Sequence, residues 1–325
     1  MKRFAWAAAA WCVAATMVFA PASAETRVTL KSAASGSSYY VMMVQLGEVL
    51  KAESKGAIQA TVEESLGSVQ NVKEAAKRPG SFVFTTPPDL IDKAIKAQKP
   101  FEADGGAGYD AIRTLFVMPF ITVHLVVRAD AGIAGIPQLA GKDFIAGAKG
   151  TACAQRTASL FKVLGLEGKV NTVDVDLKAA GDAVRNRKVA GFATCSPHPT
   201  PQVQELASGS ALSLLSFSEP ELKSVLDADR QIGPVTIAAG TYKGIDKDAR
   251  TVGGPVGAYG TARMDDATAY AIVKAFWAQR AEMAKTNPWW AAVTLDKVAL
   301  MGAKLHPGAA KYYKEAGVPV PASMQ

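Results

Sequence analysis

The chain has 325 residues, about half of them apolar and a fifth charged, which is ordinary globular composition and length enough for two domains. There is no low-complexity tract or short-period repeat, which excludes a repeat architecture. The net charge is +7, but the densest basic cluster is Arg185-Asn186-Arg187-Lys188, which reads as a solvated helix end, so nucleic acid is excluded as a partner.

Lys2 and Arg3 precede the 17-residue run FAWAAAAWCVAATMVFA and the small-residue triplet Ala22-Ser23-Ala24. This is the pattern of a secretory signal cleaved after Ala24. The alternative, an uncleaved anchor, has a run at the lower limit for a span. Cys12 lacks a lipobox before it, and no later stretch is long and apolar enough to cross a bilayer. The mature chain is therefore expected in the periplasm. Loss of Lys2 and Arg3 takes its charge from +7 to +5. That mild positive bias suits a small anionic ligand.

From residue 27 onward, strand-like and helix-like runs alternate. VTLKSA predicts a strand, residues 40–52 a helix, AIQATVEES a strand, residues 69–77 a short helix and SFVFTT a strand. This β-α-β-α-β series is the signature of a parallel sheet with helices on its faces. A helix over 89–97 follows. Pro119 interrupts the long apolar segment IRTLFVMPFITVHLVVRAD, which reads as two strands joined by a turn.

The pattern then restarts with a strand in KDFIAG, a helix over 155–164, the strand NTVDVD, a helix over 177–186 and the strand VAGFATC. The prolines of SPHPTP halt regular structure. A helix over 202–207, the strand LSLLSF and a helix over 220–228 come next. TVGGPVGAYGTARM looks like a strand crossing back between lobes. The C-terminus is helical over 265–285, 295–302 and 308–316. Two doubly wound units with a crossover out and another back form a bilobal α/β binding architecture. Its lobes comprise residues 25–128 plus 251–325, and residues 129–250. In such sheets the ligand sits beyond the carboxyl ends of the strands.

Each unit opens with the same device, an apolar strand, a small polar loop and a helix start, in residues 27–51 and again in 142–166. Unpaired N–H groups at a helix start favour an anion. In the first copy Ser35, Ser37 and Ser38 offer hydroxyls, Gly36 permits close backbone approach, and Tyr39 or Tyr40 can wall a pocket. An ordinary N-cap would need only one of those serines. Gly67, Ser68 and Asn71 follow the second strand, and Thr85-Thr86 end the third. In the second copy Gly150 and Thr151 precede Arg156, the one charge placed to enter the site. A cation in a first helical turn opposes the dipole by about 0.3–1 kcal/mol. A bidentate carboxylate ligand would offset that; otherwise Arg156 points to solvent.

No G-x-S-x-G, G-x-G-x-x-G, Walker A or H-E-x-x-H motif is present, and no His, Cys and carboxylate spacing suggests a metal. Of the three histidines, His124 and His306 read as structural, whereas His198 follows a strand end facing the expected cleft and is a candidate ligand contact. Neither an enzyme nor a cofactor is expected. Cys153 and Cys195 remain after processing, and either a disulfide or two buried thiols fits them.

Five segments in order, ASGSSYY (34–40), VEESLGSVQNV (62–72), VHLVVRADAGI (123–133), TIAAGTYKGIDKDARTV (236–252) and LHPGAAKYYKEAG (305–317), resemble the TAXI family of TRAP-transporter solute receptors over essentially the whole mature chain. The resemblance implies a type II-like periplasmic-binding-protein fold, with two doubly wound sheets joined by hinge strands. It also implies capture of a small organic anion, a carboxylate or amino acid, and delivery to an ion-gradient-driven membrane permease with fused small and large subunits. Where the family shows G-A-P-G-S-G-T, this chain has Gly147-Ala148-Lys149-Gly150-Thr151-Ala152-Cys153. The departures fall in the second lobe, so ligand identity is expected to be encoded there. The alternatives are a receptor for an ATP-driven importer, or an exported enzyme on the same scaffold, which would need an acid-base or nucleophile pair in the cleft.

Overall fold

The structure, a computed structural model, describes residues 25–78 and 80–325, and the expected leader at residues 1–24 lies outside them. The first unit is β1 (Thr26–Lys31), α1 (Ser38–Glu53), β2 (Ile58–Glu63), α2 (Ser68–Ala75) and β3 (Phe82–Thr86), followed by α3 (Pro88–Ile95) and the long strand β4 (Ile112–Arg128). The second is β5 (Asp143–Ile145), α4 (Ala152–Val163), β6 (Asn171–Thr172), α5 (Leu177–Arg185) and β7 (Gly191–Ser196). Then come α6 (Pro201–Gly209), β8 (Leu212–Leu214), α7 (Glu219–Ala228), β9 (Gly233–Ile237), β10 (Ala249–Thr261), α8 (Asp266–Thr286) and α9 (Pro307–Glu315).

The strand order is β2-β1-β3-β10-β4-β7-β5-β6, with β8 on β4 and β9 on β10. Within each unit the first strand lies between the other two and parallel to both. β4 and β10 pair antiparallel to each other and join the two units into one sheet. They are the crossing strands of a two-lobed α/β fold.

β4 corrects the expected break at Pro119, because it runs unbroken for 17 residues. Its register against β10 jumps from Met118↔Val256 to Ile121↔Gly254, so Pro119 and Phe120 face Pro255 in a bulge. Neither proline is asked for a ladder N–H there, and a bulge is where a sheet tolerates proline. NTVDVD yields only Asn171 and Thr172 as strand. Asp176 leaves it to cap α5, accepting the Ala179 N–H. β9 adds a strand outside the expected pattern; its Pro234 is accommodated because β9 pairs only with β10 and forms an edge.

One core packs α1, α8 and α9 on the first unit around Leu30, Met42, Phe84, Phe116 and Phe276. In the second unit successive strand residues enter different cores. Phe144, Ala193 and Val127 pack on one face, and Ile145, Phe192 and Val126 on the other. Side chains alternate across a strand, so a sheet covered on both faces needs near-continuous apolar runs.

Candidate functional site

The strand ends of the first unit are fastened by side-chain bonds to backbone. The Asn71 amide donates to the carbonyls of Ser32 (2.7 Å) and Thr85 (3.0 Å), joining the ends of β1 and β3. Ser65 donates to the Ser32 carbonyl and accepts the Gly67 N–H. Ser37 caps α1 by accepting the Tyr40 N–H. Gly67 starts α2 at φ +119°, with no side-chain cap on that helix. A residue with a Cβ would be strained in that conformation.

In the second unit Thr151 caps α4, accepting the Ala154 N–H and donating to the Ala148 carbonyl. Gly147 brings the loop so close that a Cβ would lie 2.8 Å from the Ala154 nitrogen. Cys153 in the first turn of α4 is joined by a disulfide to Cys195 of β7. The two thiols left open by the sequence are thus one covalent tie.

These junctions meet at a cavity of about 450 Å³. Ser37, Tyr39, Ser65, Gly67 and Ser68 line one side and Thr151, Ala152, Cys153, Thr194, Cys195 and Ser196 the other, with Ile121 of β4 and Val256 of β10 between them. The walls also touch: Ser38 Oγ lies 3.4 Å from the Pro197 carbonyl, and Trp289 donates to the Pro199 carbonyl at 2.9 Å. None of α1, α2 and α4 carries an acidic residue in its own first turn. Among the described residues the charged groups lining the cavity are Glu64 and Asp176, with no Lys or Arg beside them.

Ser37, Tyr39, Gly67, Ser68 and Thr151 therefore lie together on the cavity. Ser35 and Gly36 line a smaller neighbouring hollow of about 290 Å³ with Arg185 and Glu205. Ser38 is buried against the Pro197 carbonyl. Tyr40 is half-buried outside the cavity lining, and Gly150 is exposed. Asn71, Thr85 and Thr86 are buried behind the wall. Arg156 neither lines the cavity nor faces open water: its guanidinium pairs with Asp229 at the C-terminal end of α7, and its side chain is 12 % exposed. Ser196 was not singled out by sequence. Its hydroxyl is buried on the cavity wall without a hydrogen-bond partner among the described residues, and its place at the end of β7 was the available signal.

A polar network links β4 with the loop that follows β7. His198 Nδ1 is 3.0 Å from Thr122 Oγ1, and His124 bridges the Thr122 carbonyl and the Tyr242 hydroxyl, which accepts the Thr200 N–H. Burial holds the His124 imidazole down at about 4 and lowers His198 as well, so both are neutral near pH 7. His306 caps α9. Among the described residues no cluster of His, Cys, Asp or Glu could hold a metal, and no helix is long and apolar enough to cross a membrane.

The sequence profile of one family matches residues 30–317. The chain belongs to the NMT1-like family. Among solved structures, this NMT1-like chain resembles the periplasmic binding protein BugD at 15% identity, with 91% of this chain and 99% of that one covered and a TM-score of 0.58. It also resembles MatC of Rhodopseudomonas palustris with bound malate, at 13% identity, 90% and 97% coverage and a TM-score of 0.58. A TRAP periplasmic solute binding protein from Desulfovibrio salexigens, in complex with diglycerolphosphate, is similar at 10% identity, 91% and 86% coverage and a TM-score of 0.49. The NMT1-like chain thus has the two-lobed fold of periplasmic binding proteins.

Proposed function

We propose that this protein is an exported solute receptor of the TAXI type. It captures a small organic anion, a carboxylate or amino acid, between its lobes for a TRAP-type, ion-gradient-driven permease. The observation that carries the reading is the meeting of three helix N-termini, none with an acidic first turn, at an interlobe cavity with no basic lining residue among the described residues. A single such end attracts anions weakly; three directed at one volume from both lobes make closure and binding one event. The malate bound in MatC is a ligand of this chemical class. The TAXI assignment is supported by the segments at 34–40, 62–72 and 305–317, and export by the leader pattern and the Cys153–Cys195 disulfide, a bond of oxidising compartments.

In this reading Ser37, Tyr39, Gly67, Ser68 and Thr151 contact the ligand with Ser196, while Asn71, Thr85 and Thr86 position the wall. Arg156 anchors α4 to α7 and does not touch the ligand. The test is a thermal-shift screen of the mature protein against carboxylates, dicarboxylates and amino acids. A ligand that binds only the folded state raises the melting temperature with its concentration. Uptake of the hit by cells should stop when the ion gradient is collapsed and persist when ATP alone is depleted. A screen in which only organic cations stabilise the protein would defeat the anion assignment, and uptake that follows ATP would defeat the TRAP assignment.

A further inference from the structure

The crossing strands carry a second cavity, of about 570 Å³, on their other side. Neighbouring residues divide between the two: Ile121 and Val256 line the front cavity, Phe120 and Pro255 the back one. Side chains leave a strand on alternate faces, so the two volumes lie on opposite sides of β4 and β10. Both lobes build the back cavity, with Ile91 and Ile95 of α3 and Leu300 on one side and Arg230, Ile232 and Val235 on the other.

Three features give its chemistry. The walls are apolar, and Ile95 and Leu300 are each nearly half exposed although few large apolar side chains in the described chain are. Among the described residues Arg230 has no hydrogen bond or ion pair; it acts only at longer range on Asp227, which is itself paired to Lys223. Lys297 adds a second positive charge above the Phe120 ring, while Asp92, the one carboxylate in the lining among the described residues, is paired with Lys96. An apolar chamber with an unpartnered guanidinium at its edge is complementary to a small molecule with an apolar body and one carboxylate.

We propose that this back cavity is a second binding site, for a small monocarboxylate with an apolar body, and that filling it favours the closed front cleft. Bending about β4 and β10 that parts the front walls must bring the back walls together. A molecule wedged between α3 and the start of β9 therefore resists opening. Coupling of this kind is reciprocal between the two sites. The site does not depend on what the front cavity binds.

The experiment is calorimetric titration of the mature protein with octanoate, alongside neutral octan-1-ol. One octanoate should bind per chain, more tightly than the alcohol. Arg230→Gln should weaken it about three- to fivefold, the range of an exposed ion pair. Leu300→Asp, also at an exposed position, should weaken it about tenfold by removing apolar contact and adding like charge. With spin labels on Glu48→Cys and Gln204→Cys, exposed on α1 and α6, octanoate should shift the interlobe distances towards the shorter population. Absence of octanoate binding would overturn the site. So would weakening by Leu66→Asp, at the exposed rim of the front cavity, with no effect of Leu300→Asp. Unchanged or longer interlobe distances on octanoate binding would overturn the coupling.

Discussion

Ser37 and Thr151 cap α1 and α4 in the same way, each hydroxyl accepting the N–H three residues on, and both helices aim at the same cavity. Behind the first cap the wall is held by hydrogen bonds from Asn71 and Ser65 to strand-end carbonyls. Behind the second it is held by the Cys153–Cys195 disulfide, with the Arg156–Asp229 pair further along α4. Two walls of like chemistry are thus fastened by unlike means. The first unit has long paired strands to hang its loops on, whereas β5 has three residues and β6 two. A covalent tie replaces strand length where the sheet is thin.

Removing that tie should have the largest effect. A disulfide closing a loop of this separation, 42 residues, stabilises by about 4 kcal/mol in the chain-entropy description. The double variant Cys153→Ser, Cys195→Ser should lower the melting temperature sharply and weaken ligand capture, whereas a reductant should do nothing further to it. The next effect is in pH. His124 is held at about 4 by burial, against an ordinary 6.5, so the unfolded chain takes up its proton first as pH falls. The His124 contribution to stability should fall by up to about 3 kcal/mol between pH 6.5 and 4 and the loss be complete below, with His198 and His306 acting in the same direction. His124→Gln should remove most of the step in denaturant titrations across that range.

Asn71→Ala should cost about 2 kcal/mol, because two buried carbonyls lose their shared donor, and that loss should hardly vary with pH. Arg156→Ala should cost least, about 1 kcal/mol, as the Asp229 carboxylate is a third exposed. Its calorimetric ligand affinity should stay within about twofold of wild type. A tenfold loss would return Arg156 to the ligand site.

Much of the scaffold could be read in advance because it is written locally. The apolar runs of β1, β3 and β7, the polar starts of α1 and α4 and the order of both parallel units follow from short-range patterning. What escaped was set by distant partners. Pro119 reads as a break until Pro255, far along the chain, is seen opposite it in the bulge. Arg156 reads as a ligand contact or a solvent-facing charge until Asp229, 73 residues on, is seen to hold it. Asn71 and Thr85 look like binding groups because buried tethers and ligand contacts use the same side chains. The pairing of Cys153 with Cys195 could be suspected but not decided from spacing alone.

In the proposed binding mode the cavity holds an anion by helix starts and hydroxyls, without a basic side chain. The most direct measurement is a crystal structure of the mature protein with the carboxylate that stabilises it most. The expected result places carboxylate oxygens within hydrogen-bond reach of N–H groups in the first turns of α2 and α4, beside Thr151 and Ser196, with Arg156 still on Asp229. A ligand gripped by Arg156, or one whose positive group sits between Glu64 and Asp176 with no acceptor at the helix starts, would contradict it.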